Sequence, residues 1–419
     1  MSTVYADTDN IQAKRERASR WQVLRSRAYL LLLAAQFASL LGDFFNYVAV
    51  AWLVLELTGS NLAVGAVLAA ASVPRAVLML LGGAVSDRFS PRASMLVGGL
   101  ARGVVMGTLA VLALTYTVQL WELFVGSFLV GTIAAFFLPA STSMLPRVVA
   151  SDQLQAGNAF MTLSRFGAMV LGPALGGVLV AASGAGAAFA ADAAGYALAG
   201  LLVTLLPGVT LVASGSAKNA LQDIWDGIVH VWNDVPLRTA LAVIAVVNFL
   251  GMPGVEVGLP ALAYQRFDQG AVVLGGGYAA FGLGAVAGAL GASALPAPPL
   301  VWVLMGTVVL FGAGLAAVGF APSLALLLVA LGVMGVIAGA SNPYLISWLQ
   351  RRADPRMQGR VMSLVMLASV GLEPPGLALG GVVASRNLGL LFWGAGALIA
   401  LTGVAATLSR AVRAEGRTV

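Results

Sequence analysis

The chain has 419 residues, of which 59% are hydrophobic and only 10% charged, with a mean hydropathy of +0.93. A water-soluble globule of that composition would aggregate, so the composition defines an integral membrane protein. Cysteine is absent and histidine occurs once, which excludes disulfides, thiol catalysis and a histidine-based metal site, and leaves no cofactor to expect.

Residues 1–27 are polar and basic, without the short apolar core of a removable signal peptide, and read as a cytoplasmic tail. Apolar runs long enough to cross a bilayer then follow at roughly 28–57, 61–84, 93–116, 120–145, 157–181 and 185–206. Residues 207–237 are too polar to cross and form a linker between a first bundle, 28–206, and a second, 238–410. Within the linker Leu221, Ile224, Trp225, Ile228 and Trp232 recur at helical spacing, which predicts a short amphipathic helix on the cytoplasmic membrane surface. Six more runs, at roughly 238–262, 271–293, 299–321, 323–347, 361–384 and 387–410, precede a short tail over 411–419. The predicted fold is therefore an all-α membrane protein with twelve crossings in two six-helix bundles.

The net charge of +6 reports topology rather than nucleic acid. Eighteen of the 23 basic residues fall in segments that alternate to one side, only Arg266 and Arg386 on the other, and Arg75, Arg102 and Arg165 within spans. That asymmetry puts both termini in the cytoplasm.

Between the second and third runs lies a short charged turn, with Gly83, Asp87, Arg88 and Arg92 in a G-x-x-x-D-R-x-x-x-R pattern. Charges there cannot enter hydrocarbon, and the glycine lets helix ends approach. The fifth run carries Gly167, Gly172, Pro173, Gly176 and Gly177, small residues and a proline suited to close packing and bending. Gly176-Gly177-Val178 recurs as Gly380-Gly381-Val382, one sign that the second half is a diverged copy of the first.

The charged turn resembles the signature loop of the major facilitator superfamily, and the glycine string resembles its exporter motif. Gly42-Asp43, Pro74-Arg75, Phe136-Phe137-Leu138-Pro139-Ala140 and Asp226-Gly227-Ile228 narrow the likeness to the branch containing the enterobactin exporter and macrolide efflux proteins. The resemblance covers essentially the whole chain. It implies a secondary transporter of the bacterial inner membrane, not an enzyme, with Asp87, Arg88 and Arg92 as a conformational lock, pseudo-two-fold symmetry between the bundles, and export of a small-molecule cargo.

A charge at the bilayer centre costs at least about 2.5–3.5 kcal/mol on insertion scales, so those retained there are paired or line a wet cavity. Asp43, Glu256 and Glu373 are the candidate proton carriers, and Arg75, Arg102 and Arg165 their counter-ions. Counting ~1.5 Å per residue puts Arg102 and Glu373 at similar depth, where they could face each other across the bundles; Arg102 or Arg165 could pair with Asp43. Asp192 and Glu122 are read as structural acids nearer the outer surface. Phe44, Tyr47, Phe136, Met252, Tyr278 and Met362 are candidate cavity walls, an adaptable apolar surface suited to amphipathic compounds. The expectation is proton-coupled export of drugs or siderophore-like compounds by a monomer. A lipid or lysolipid flippase and a sugar or metabolite uptake facilitator are the alternatives.

Overall fold

The computed structural model describes residues 22–86, 90–206, 220–294, 300–354 and 357–408, and among them the regular structure is all helical. Residues 1–21 and 411–419 of the expected tails, residues 207–219 of the linker and the lock residues Asp87 and Arg88 lie outside the described residues. Helices α1 (Arg27–Thr58), α2 (Asn61–Ser86), α3 (Pro91–Leu114) and α4 (Leu120–Val148) open the first bundle. A continuous stretch, Leu154–Thr204, is broken at Gly184, whose φ of 77° and ψ of 169° only glycine adopts without strain. It therefore makes two antiparallel crossings, α5 (154–183) and α6 (185–204).

Helix α7 (Ala220–Asn233) follows the first bundle in the chain and packs against the second. Its Val231 is buried and a Cβ at Gly227 would lie 3.2 Å from the Arg360 side chain, while Trp225 and Trp232 are 64% and 66% exposed. Trp225, Ile228 and Trp232 of the apolar stripe thus turn away from the protein, as a membrane-surface helix requires.

The second bundle contains α8 (Val235–Arg266), α9 (Gly270–Ala294), α10 (Leu300–Phe320), α11 (Leu324–Arg352), α12 (Gln358–Arg386) and α13 (Leu388–Leu408). The seventh crossing begins at Val235, earlier than the sequence boundary at 238. Asp234 caps it by accepting from the Leu237 N–H at 3.1 Å, and Pro236 occupies the first turn where its missing N–H costs nothing.

Two helices widen by one residue per turn, α8 over Gly254–Gly258 and α12 over Leu367–Gly371. Prolines account for both. Pro260 cannot donate to the Glu256 carbonyl, and Pro374 and Pro375 leave the carbonyls of Val370 and Gly371 without their helical donors.

The bundles touch along two pseudo-equivalent seams, α5 on α9 and α2 on α12. Each seam is glycine on glycine. A Cβ on Gly177 would lie 2.9 Å from the Gly275 Cα, and one on Gly65 would lie 2.8 Å from the Gly381 Cα. The repeated Gly-Gly pairs of α5 and α12 thus occupy matching places. Both seams lie toward the end opposite the termini, where the Asn61 amide also donates to the Ala384 carbonyl at 3.0 Å. The bundles are closed at that far end.

Gly275→Leu is expected to prevent this closure, because the added side chain would meet main-chain atoms that cannot rotate away. With no native cysteine to interfere, a cysteine placed at Ser369 reports the change. An impermeant thiol reagent added at the far end should label it in the Gly275→Leu background and not otherwise. Unchanged sidedness would refute the seam's role.

Candidate functional site

The membrane-embedded charges gather into two clusters. In the first bundle Arg102 of α3 lies 2.6 Å from Asp43 of α1 and 3.3 Å from Asp192 of α6. The Tyr196 hydroxyl donates to Asp43 at 2.9 Å, and its ring sits 4.4 Å from the guanidinium carbon, a cation–π contact. Asp192 is fully buried, with Oδ1 unpartnered, as is the Arg102 Nε. Gly42 makes room for it, since a Cβ there would collide with that carboxylate.

The second cluster spans both bundles. Arg75 of α2 forms an ion pair with Glu373 of α12, and the Ser72 hydroxyl donates to the same carboxylate at 2.8 Å. Glu256, in the widened turn of α8, lies beside the Tyr47 hydroxyl of α1 and within electrostatic reach of both Glu373 and Arg75. The widening also matters at Val255. Because the Leu259 N–H reaches back to the Gly254 carbonyl, the Val255 carbonyl is freed, and the Tyr278 hydroxyl donates to it at 3.2 Å. The Tyr47 and Tyr278 rings meet edge to face with centroids 5.2 Å apart.

Each cluster holds two carboxylates against a single guanidinium. With both acids ionised each carries one uncompensated negative charge in low dielectric, which one proton neutralises. Access differs between the partners. The Asp43 and Arg75 side chains are 39% and 38% exposed, whereas those of Asp192 and Glu373 are 0% and 8%.

These pairings correct the sequence reading in three places. Glu373 faces Arg75, not Arg102, and Arg102 is enclosed by acids of its own bundle. Arg165 is exposed and makes no pair with Asp43. Asp192, expected near the surface as a structural acid, is fully buried in the first cluster; only its apolar flanks, Ala191 and Ala193, hinted at burial.

A cavity of about 630 Å³ adjoins the second cluster. Phe44, Tyr47, Met252 and Tyr278 line it, while Phe136 and Met362 do not. Among the described residues the cavity lies off-centre, drawn mainly from α8 and α11 with α9, α10 and α12, and the first bundle reaches it only through α1 and α5, so α4 has no part in it. Among the described residues no charged side chain lines it, but Tyr47 and Tyr278 belong to both the cavity wall and the acid cluster.

The remaining motif residues serve packing. Cβ atoms on Gly172 and Gly176 would come within 2.6 Å and 3.3 Å of Phe44 and Phe45, and one on Gly167 within 3.6 Å of Phe37, so this face of α5 lies on α1. The Pro173 carbonyl abuts Gly275 across the seam. Gly83 falls in the last turns of α2, and Arg92 donates to the carbonyls of Val203 and Thr204 at 3.2 Å and 2.6 Å, capping α6 within its own bundle.

Two bundles of membrane-crossing helices around an internal apolar cavity, with paired acids beside it, define a multi-pass membrane transporter rather than an enzyme. Comparison with known proteins makes this specific. The family model of the Major Facilitator Superfamily matches residues 32–372, and the chain belongs to that family. It is 28% identical over 373 residues to the multidrug efflux pump Tap of Mycobacterium tuberculosis, covering 85% of this chain and 87% of that protein. It is likewise 28% identical over 371 residues to the enterobactin exporter EntS of Escherichia coli, covering 84% of each. Among solved structures, a peptide transporter POT in complex with sulfate superposes with a TM-score of 0.73 at 14% identity, over 95% of this chain and 99% of that one. The nucleoside transporter NupG gives 0.67 at 14% identity, over 94% and 100%. At such identities these two likenesses show the fold alone.

Proposed function

We propose that the chain exports amphipathic small molecules in exchange for protons, as a monomer in the bacterial inner membrane with both termini in the cytoplasm. The two bundles, 28–206 and 238–410, rock against each other to expose the cavity at one end and then the other, the glycine seams parting when it opens at the far end, with 207–237 as their tether. The names of Tap and EntS support efflux, and the basic residues gathered at the termini-bearing end support the orientation. The observation that carries the reading is the acid pair Glu256 and Glu373, which shares Arg75 across the bundles behind a wall of Tyr47 and Tyr278.

In this reading the Arg75–Glu373 pair clasps α2 to α12 and holds the empty, deprotonated carrier closed at the far end. Cargo pressing on Tyr47 displaces its hydroxyl from Glu256, which then competes for Arg75 and weakens the clasp. A proton taken up at the far end neutralises Glu256, leaves Arg75 to Glu373, and lets the emptied carrier close there again. Asp43 and Asp192 form a second place where one proton can reside.

Reconstituted vesicles test this directly. An imposed pH gradient, acidic on the far-end side, should drive accumulation of a fluorescent amphipathic dye, and collapsing the gradient with a protonophore should abolish it. Accumulation indifferent to the gradient would remove protons from the reading.

A further inference from the structure

We propose that the cavity selects amphipaths with one long apolar tail, the tail entering a side branch between α8 and α11 whose back wall is α10. This rests on the functional reading above and names the substrate class for the same cavity.

A cavity confined to the bundle interface would be walled only by helices that face the other bundle. This one also touches Thr307, Val308 and Phe311 of α10. That helix is peripheral: it packs on α11 and α13 and turns Leu310 outward at 55% exposed. For α10 to reach the cavity, α8 and α11 must part, and α8 provides the gap. At Gly251 it has no side chain, and a Cβ there would stand 3.2 Å from the Phe311 ring. The branch is therefore a cleft within the second bundle, closed behind by a third helix.

Val247, Gly251, Val308, Phe311, Ile337 and Ala338 give the branch hydrocarbon walls. Hydrogen-bonding groups on the cavity wall come from Asn248, Thr307, Ser341, Asn342 and Ser369, with the hydroxyls of Tyr47 and Tyr278 on the side of the acid cluster. The Ser341 hydroxyl already donates to a carbonyl of its own helix and offers a ligand its oxygen, while the Asn248 amide spends one N–H in the same way and keeps its oxygen and a second N–H. With no charged side chain on the wall, a fixed charge on the ligand would be buried unpaired. The matching ligand has a neutral, hydrogen-bonding head and an apolar tail. The cavity volume lies within the roughly 300–1,000 Å³ typical of sites for drug-sized ligands, and a single cleft admits a single tail.

The test is a homologous series of N-acylethanolamines with lengthening acyl chains, titrated against the protein in lipid nanodiscs, with binding read by thermal stabilisation and empty nanodiscs used to correct for partitioning. Affinity should climb about fourfold per methylene over the middle of the series, the factor expected for burying a methylene, and then level off. In Ala338→Phe, which fills the branch, the plateau should arrive at least two methylenes earlier, with the shortest members bound as in wild type. Val247→Phe fills the same branch from the opposite wall and serves if Ala338→Phe does not fold. A chain-length profile that is flat, or identical in wild type and both variants, overturns the side branch; if gradient-driven dye accumulation persists in the same preparation, the export reading stands without it. Failure of every member of the series to bind wild type, together with absent dye accumulation, overturns both.

Discussion

Glu373→Gln is expected to abolish uphill export while sparing downhill movement of the same cargo. Glutamine keeps the shape of the side chain and removes the charge that holds Arg75, so the clasp between α2 and α12 is lost whatever the pH. The empty carrier then slips between its two forms without waiting for cargo or proton. A bias of about 1.4 kcal/mol between the two forms changes their ratio tenfold, so losing a charge-assisted contact at the bundle interface should reduce gradient-driven accumulation by at least about tenfold. Exchange of labelled for unlabelled cargo across the same vesicles should stay near the wild-type rate. Gradient-driven accumulation at the wild-type rate in Glu373→Gln would remove this glutamate from the coupling, and loss of exchange as well would mark it as a binding or structural group.

The second large effect is on stability. Arg102→Met should destabilise the first bundle by about 3–5 kcal/mol, because it leaves Asp43 and the fully buried Asp192 facing each other with no cation. Thermal unfolding in detergent measures the loss. The double variant Arg102→Met/Asp192→Asn removes the deepest of the orphaned charges and should recover a substantial part of it. If Arg102→Met melts with wild type, the cluster contributes nothing to holding α1, α3 and α6 together. The same pair of variants separates this cluster from the Glu373 site, since the two have only α1 in common and share no ion-pair partner.

The architecture was legible in the sequence because bilayer thickness sets helix length, and apolar runs of the required length recur twelve times. Even the Gly184 break could be placed to within a few residues by the spacing of the runs. What could not be read was rotation. The depth of a charge follows from counting residues along a helix, and that count gives Arg102 and Glu373 similar depths. Which way each points depends on the angle about the helix axis, and helices that are apolar on all sides carry little periodic signal to fix it. That is why Arg75, whose neighbours Pro74 and Ala76 give no hint of direction, was not matched to an acid 298 positions away, and why Asp192 was misplaced. The off-centre cavity was hidden for a related reason, since it depends on Gly251 leaving a gap that only the neighbouring Phe311 defines.

The glycine seams have a consequence for the cell's energy supply. Where Gly65 meets Gly381 and Gly177 meets Gly275, main chain rests on main chain, with no rotamer that could drift and open a crevice. The electrical insulation of the membrane in this state therefore rests on the least adjustable atoms of the protein, and thermal jitter of side chains around the cavity does not become a short circuit for ions.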